Sequence, residues 1–198
     1  MGYTKSLEEL IAKLVKLPGI GRRSAERIAL FLLQSSDADV KNLTGAIIRA
    51  KQNIRLCKVC NILTEGEVCQ ICQNPARDNS TICVVEEPKD VLAFEKTAKF
   101  QGLYHVLMGS ISPLDGRGPE ELKIKELIDR IKNKNIKEII IATDSDTEGE
   151  TTAIYLNKII KPLGVKVTRI GLGIPVGSNL EYIDSTTLTH SLESRREL

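Results

Sequence analysis

Apolar positions in the first quarter of the chain recur every three or four residues. Leu7, Leu10, Ile11, Leu14 and Leu17 fall on one helical stripe, which Pro18-Gly19 closes. Ala25, Ile28, Ala29 and Leu32 predict a second helix ending near Ser35-Ser36-Asp37, and Leu43, Ile47 and Ile48 a third from about Val40 to Arg55. From Leu56 to Asn79 apolar residues thin out and cysteines and turn formers take over, leaving too little core for that segment to fold unaided. Beyond Thr81 the period changes. Strands are predicted at Ile82–Val85, Leu103–Met108, Ile139–Ala142 and Val165–Ile170. Helices are predicted at Pro88–Lys99, at Leu122–Ile131 with charged outer positions, and at Thr151–Ile160. A Gly- and Pro-rich loop spans Gly109–Pro119, and the polar tail Leu180–Leu198 reads as a short helix or an arm docked on a neighbour. Strands alternating with helices predict a mostly parallel sheet covered on both faces.

The composition narrows the classes. A net charge of +2 on 198 residues requires any basic surface to be local. No stretch reaches the length of a membrane span and the N-terminus lacks a signal peptide's apolar core, so a cytoplasmic protein without membrane contact is expected. Four of the five cysteines form two C-x-x-C pairs, Cys57/Cys60 and Cys69/Cys72, with eight residues between them. Each pair lets a tight turn offer two thiolates to one cation, and together they complete a tetrahedral sulfur shell suited to structural Zn²⁺. Cys83 lies within a strand and reads as a small buried hydrophobe.

Two further constellations carry chemistry. Leu17-Pro18-Gly19-Ile20-Gly21 joins two helices and is followed by Arg22, Arg23 and Arg27. Uncovered N–H groups at the second helix, with arginines beside them, suit a phosphate; a plain helix–helix turn is the other reading. "ATDSDTEGE", from Ala142 to Glu150, follows an apolar strand. Asp144 and Asp146 can aim at one cation, with Glu148 near and Glu86 supplied by another strand end, where ligands of open α/β sheets bind. Spacing alone leaves this open between a Mg²⁺ site and an acidic cap favoured by a helix dipole. His105 is expected to be packed or hydrogen-bonded, and His190 has no evident partner.

Glu86 after one strand and Asp144-Ser145-Asp146-Thr147-Glu148 after a later one resemble the Toprim domain of topoisomerases, primases and some nucleases. The whole chain resembles the RecR family of recombination mediators. The similarity runs through the LPGIG hairpin, the four-cysteine finger, "ICVVEEPKDVLAFE" and "GLYHVLMGSISPLDGRGPE", and continues through "KPLGVKVTRIGLGIPVGSNLEY" to "LESRREL". The resemblance implies an α/β multidomain chain. Its parts are a helical domain with a helix-hairpin-helix (1–54), a C4 zinc finger (55–78), a Toprim domain (79–174) and a C-terminal arm (175–198). It implies a non-enzymatic DNA-repair factor that works with RecO and RecF to load RecA on gapped DNA. Self-association as a dimer or a ring-like tetramer is also implied. Gly19, Gly21, Arg22, Arg23 and Arg27 are then expected to face DNA, and Cys57, Cys60, Cys69 and Cys72 to hold structural zinc. Glu86, Asp144, Asp146 and Glu148 are expected to gather Mg²⁺ weakly or to dock a partner.

Two features depart from many family members: Asp144-Ser145 stands where they carry Asn-Pro, and Arg22-Arg23 where they carry Pro-Lys. The first restores a full D-x-D-x-E and keeps a Mg-dependent Toprim nuclease as the alternative function.

Overall fold

Three helices form where the apolar stripes recur: α1 (Lys5–Leu14), α2 (Arg22–Gln34) and α3 (Asp37–Asn53). The computed structural model describes residues 2–171 and 173–195; position 172, within the expected Toprim segment, and 196–198, the end of the expected arm, lie outside the described residues, as does position 1. The chain divides into two compact units between Ile54 and Arg55. In the first unit Ile11 of α1 packs against Ala25 and Ala29 of α2, all fully buried, with Leu7, Leu10, Leu14 and Ile20 around them. Two alanines one helical turn apart let α2 approach α1 closely. Helix α1 stops before Leu17, which lies in the turn and is half exposed. Helix α3 starts at Asp37 because the Ser36 hydroxyl accepts the Asp39 N–H at 3.1 Å. Its apolar stripe of Leu43, Ile47 and Ile48 is exposed.

The second unit begins with a small antiparallel pair, β1 (Arg55–Leu56) and β2 (Leu63–Thr64), and the short helix α4 (Gln70–Gln73). There follow β3 (Asp78–Val85), α5 (Pro88–Lys96), β4 (Gly102–Val106), α6 (Ile124–Asn133), β5 (Glu138–Ile141), α7 (Thr147–Ile160), β6 (Lys166–Arg169) and α8 (Ser185–Glu193). Strands β3 to β6 form one four-stranded sheet in the order β4-β3-β5-β6 with every pair parallel. Side chains alternate between its faces. Ile82, Val84, Leu103, Ile139 and Ile141 pack with Leu127 and Ile131 of α6 and with Ala153, Leu156 and Ile160 of α7. Cys83, Val85, Tyr104 and Val106 pack on the other side with Val91 of α5 and with Cys57, Cys60, Ile62 and Cys69 of the cysteine-rich segment. Burial on both faces is why the strands read as continuous apolar runs.

That second layer changes the picture of residues 56–79. The segment has little core of its own, but it borrows one from the sheet. The Val106 N–H donates to the Cys60 carbonyl at 2.8 Å and the Asn61 side-chain amide donates to the Val106 carbonyl at 3.3 Å. Arg130, expected among the charged outer positions of α6, is only 6% exposed and donates from Nη1 to the Tyr104 carbonyl at 2.6 Å. It stands three residues after Leu127, so it falls on the same face of the helix.

Candidate functional site

The four cysteines converge as their spacing requires. Their sulfurs lie within 4.8 Å of one another, and Cys57, Cys60 and Cys69 are buried. The turns that bring them together also turn N–H groups onto sulfur: Val59 and Cys69 donate to Cys57 Sγ at 3.4 and 3.3 Å, and Cys72 donates to Cys69 Sγ at 3.5 Å. Asn61 takes a positive φ of 63° to close the first turn. Cys60 Sγ lies 3.5 Å from Cys69 Sγ; through this contact the Cys69 thiol is driven well below its ordinary value and the Cys60 thiol well above it. Four thiolates so close are accommodated together only around a cation, and backbone N–H donors favour their charged form. The set fits structural Zn²⁺, with all four positions of a tetrahedral shell filled by sulfur. Cys83 stands apart from it, buried in β3, and burial pushes its thiol up to about 12.

At the carboxyl ends of β3 and β5, which are paired neighbours, the structure brings Glu86 and the 142–150 loop together. The Asp144 N–H donates to Glu86 Oε1 at 3.0 Å. Glu86 is buried, and that burial pushes its carboxyl above the usual range; the Asp144 N–H opposes the shift, while Asp144, Asp146 and Asp90 add to it. Asp146 caps α7, its Oδ1 accepting the Gly149 N–H at 2.7 Å, and Thr143 Oγ1 donates to the Gly149 carbonyl at 2.8 Å. Side-chain bulk at Gly149 is excluded, since a Cβ there would lie 2.2 Å from the Asp144 carbonyl oxygen. Glu148 stands in the first turn of α7, half-buried, and Asp144 is exposed. Among the described residues, the four cysteines are the one group of three or more His, Cys, Asp or Glu whose ligand atoms gather so closely; Glu86, Asp144, Asp146 and Glu148 are more widely spread. The helix-cap reading is thus realised in Asp146.

In the N-terminal unit Gly19 closes the turn before α2 at φ 77°, a backbone conformation that favours glycine. Gly21 is the N-cap of α2, in open space. The three arginines divide into two kinds. Arg22 is held by ion pairs to Glu8 at 2.9 Å and Glu26 at 3.1 Å, the first of which ties α2 to α1. Arg23 and Arg27 are exposed one helical turn apart.

The remaining expectations resolve simply. His105 is fully buried with Nε2 2.7 Å from the Lys123 carbonyl, and burial lowers its pKa to about 4. His190 lies on α8, 3.6 Å from Glu193, and lines a cleft of about 520 Å³ with Asp146, Thr147 and Glu150. The tail and the acidic loop therefore line one open cleft. No helix among the described residues is long and apolar enough to cross a membrane.

Comparison with known proteins accounts for the chain segment by segment. Residues 7–51 match the helix-hairpin-helix model of RecR, 54–74 its four-cysteine zinc finger domain, 80–171 the Toprim domain and 173–196 the RecR C-terminal model. The chain is 50% identical over 196 residues to a protein named Recombination protein RecR from Acidothermus cellulolyticus, covering 99% of this chain and 98% of that one. The same identity and coverage relate it to the Recombination protein RecR of Syntrophotalea carbinolica.

Proposed function

The chain belongs to the RecR family, and from that premise we propose that it is a DNA-binding mediator of recombinational repair, without turnover of its own. The observation that carries this reading is the near-complete, 50% identical alignment to recombination proteins. In this reading it works in the cytoplasm with RecO and RecF to load RecA on gapped DNA, with zinc held by Cys57, Cys60, Cys69 and Cys72. The functional divisions follow 1–54, 55–78, 79–174 and 175–198. DNA meets the hairpin of Gly19 and Gly21 and the arginines after it. Exposure of Arg23 and Arg27 supports phosphate contact through those two, while Arg22, also exposed, braces the hairpin against Glu8 as well. Self-association as a dimer or ring-like tetramer is supported by the exposed stripe Leu43, Ile47 and Ile48.

The acidic loop gathers Mg²⁺ weakly at most and docks a basic surface of RecO. Support comes from the engagement of two carboxylates in holding the loop: Glu86 by Asp144 and Asp146 by Gly149. The second reading, a Mg-dependent nuclease using Glu86, Asp144 and Asp146, is favoured by the complete D-x-D-x-E. Zinc-loaded protein incubated with labelled gapped DNA and Mg²⁺ separates the two. Retention of the DNA without strand scission is the expected result. Mg²⁺-dependent nicking that disappears in Asp144→Asn overturns it in favour of the nuclease.

A further inference from the structure

Strand β4 is an edge of the sheet, and its free side is occupied by two neighbours. The Tyr104 carbonyl accepts from Arg130 Nη1, and two residues on the Val106 N–H donates to the Cys60 carbonyl. Two residues of a strand span about 7 Å, so the guanidinium and the cysteine turn lie side by side on that edge. Arg130 is more than nine-tenths buried, and its Nε and Nη2 have no hydrogen-bond partner among the described residues. A buried cation with two unspent donors is costly unless a nearby negative charge offsets it. Strand β4 supplies none: its residue between Tyr104 and Val106 is His105, whose pKa burial, and to a lesser degree the Arg130 charge, lowers. Burial lowers the guanidinium pKa, and the groups that oppose this are Cys72, Cys60, Cys57 and Cys69. Arginine stays charged regardless.

Four thiolates around one Zn²⁺ leave a net charge of about −2 in a buried site. Resting on the zinc reading above, we infer that Arg130 is the fixed countercharge of the four-cysteine metal centre, a positioning residue of the sheet domain that slows loss of the metal from the finger. Outer partners of this kind typically alter metal affinity by about 10- to 100-fold.

The test uses the full-length, zinc-loaded protein. Zinc content is measured first, then the rate of release to a chromogenic chelator. Arg130→Gln keeps a donor for the Tyr104 carbonyl and removes the charge; it is expected to release zinc at least about tenfold faster. Arg130→Lys keeps the charge and stays near the wild-type rate. A role in packing alone moves both variants together and overturns the inference, as does an Arg130→Gln protein that folds and releases zinc at the wild-type rate. If Arg130→Gln cannot be obtained folded, Arg130→Lys decides: a folded, zinc-retaining protein supports the countercharge, and one that loses zinc as readily as Cys60→Ser overturns it. Zinc absent from the wild-type protein overturns the metal reading itself, whereas zinc present with equal release rates overturns only this inference.

Discussion

The main-chain N–H of Asp144 donates to the buried carboxylate of Glu86 at 3.0 Å, which ties the loop after β5 to the end of β3. A carboxylate that looks from the sequence like a metal ligand is therefore also a strut. The same loop is held from the other side by Thr143 and Asp146, both bonded to Gly149. The acidic pattern and the local architecture are one arrangement, so its residues can be kept for shape as well as for charge.

Burial raises the Glu86 pKa in the folded state, so folding binds its proton more tightly than the unfolded chain does. The group contributes most below the ordinary glutamate value, and the contribution is lost as pH rises through the raised one. The stability of the wild type relative to Glu86→Gln should therefore fall as pH rises from about 4 toward neutrality. Urea unfolding of both proteins across that range checks this. Parallel curves would show that Glu86 ionises as freely as in the unfolded chain.

Gly149→Ala places a methyl group 2.2 Å from a main-chain oxygen that cannot swing away. The α7 terminus or the Asp144 loop must shift, at a cost of about 1–3 kcal/mol. A thermal unfolding midpoint unchanged from wild type would contradict this. Asp146→Ala, which removes the cap, should cost about 1 kcal/mol.

Removal of zinc should be felt in the sheet as well as in the finger, because Cys57, Cys60 and Cys69 share a buried layer with Val85, Tyr104 and Val106. Structural zinc of this kind contributes on the order of 10 kcal/mol to folding. Cys60→Ser is expected to lose the metal and to speed hydrogen exchange at the Val106 amide, which donates to the Cys60 carbonyl. Exchange confined to residues 55–78 would mean that the sheet holds its edge alone.

Arg23→Ala with Arg27→Ala should weaken DNA binding for all sequences alike and flatten the salt dependence by about one unit of slope per lost contact. Arg22→Ala should act through the hairpin as well, because its guanidinium also pairs with Glu8 and Glu26. Salt titrations of the two proteins distinguish these roles. A slope unchanged in the double variant places the DNA surface elsewhere.

Periodicity makes most of the fold legible. The four strands of the sheet and the helices between them lie where β-branched runs and apolar stripes place them. Local spacing is enough for Cys57, Cys60, Cys69 and Cys72, since each pair needs only one tight turn. What stays hidden depends on contacts distant in sequence. Ile47 and Ile48 have the pattern of a core face, yet they are exposed. Leu17 continues the α1 stripe on paper, but the helix has already ended. Arg130 reads as solvated until its position three residues after Leu127 is set against the apolar face of α6; that offset is the available clue. Glu8 and Arg22 are fourteen residues apart, and no periodicity links them.

Strand β4 lies at an edge of the sheet. Its outer N–H and C=O groups at Val106 are covered by Cys60 and Asn61. Without the metal that holds those turns, the groups become an open template on which the strand of another molecule can pair. Metal-depleted chains would then precipitate as well as unfold, and the finger would be what keeps this edge of the sheet from pairing with another molecule.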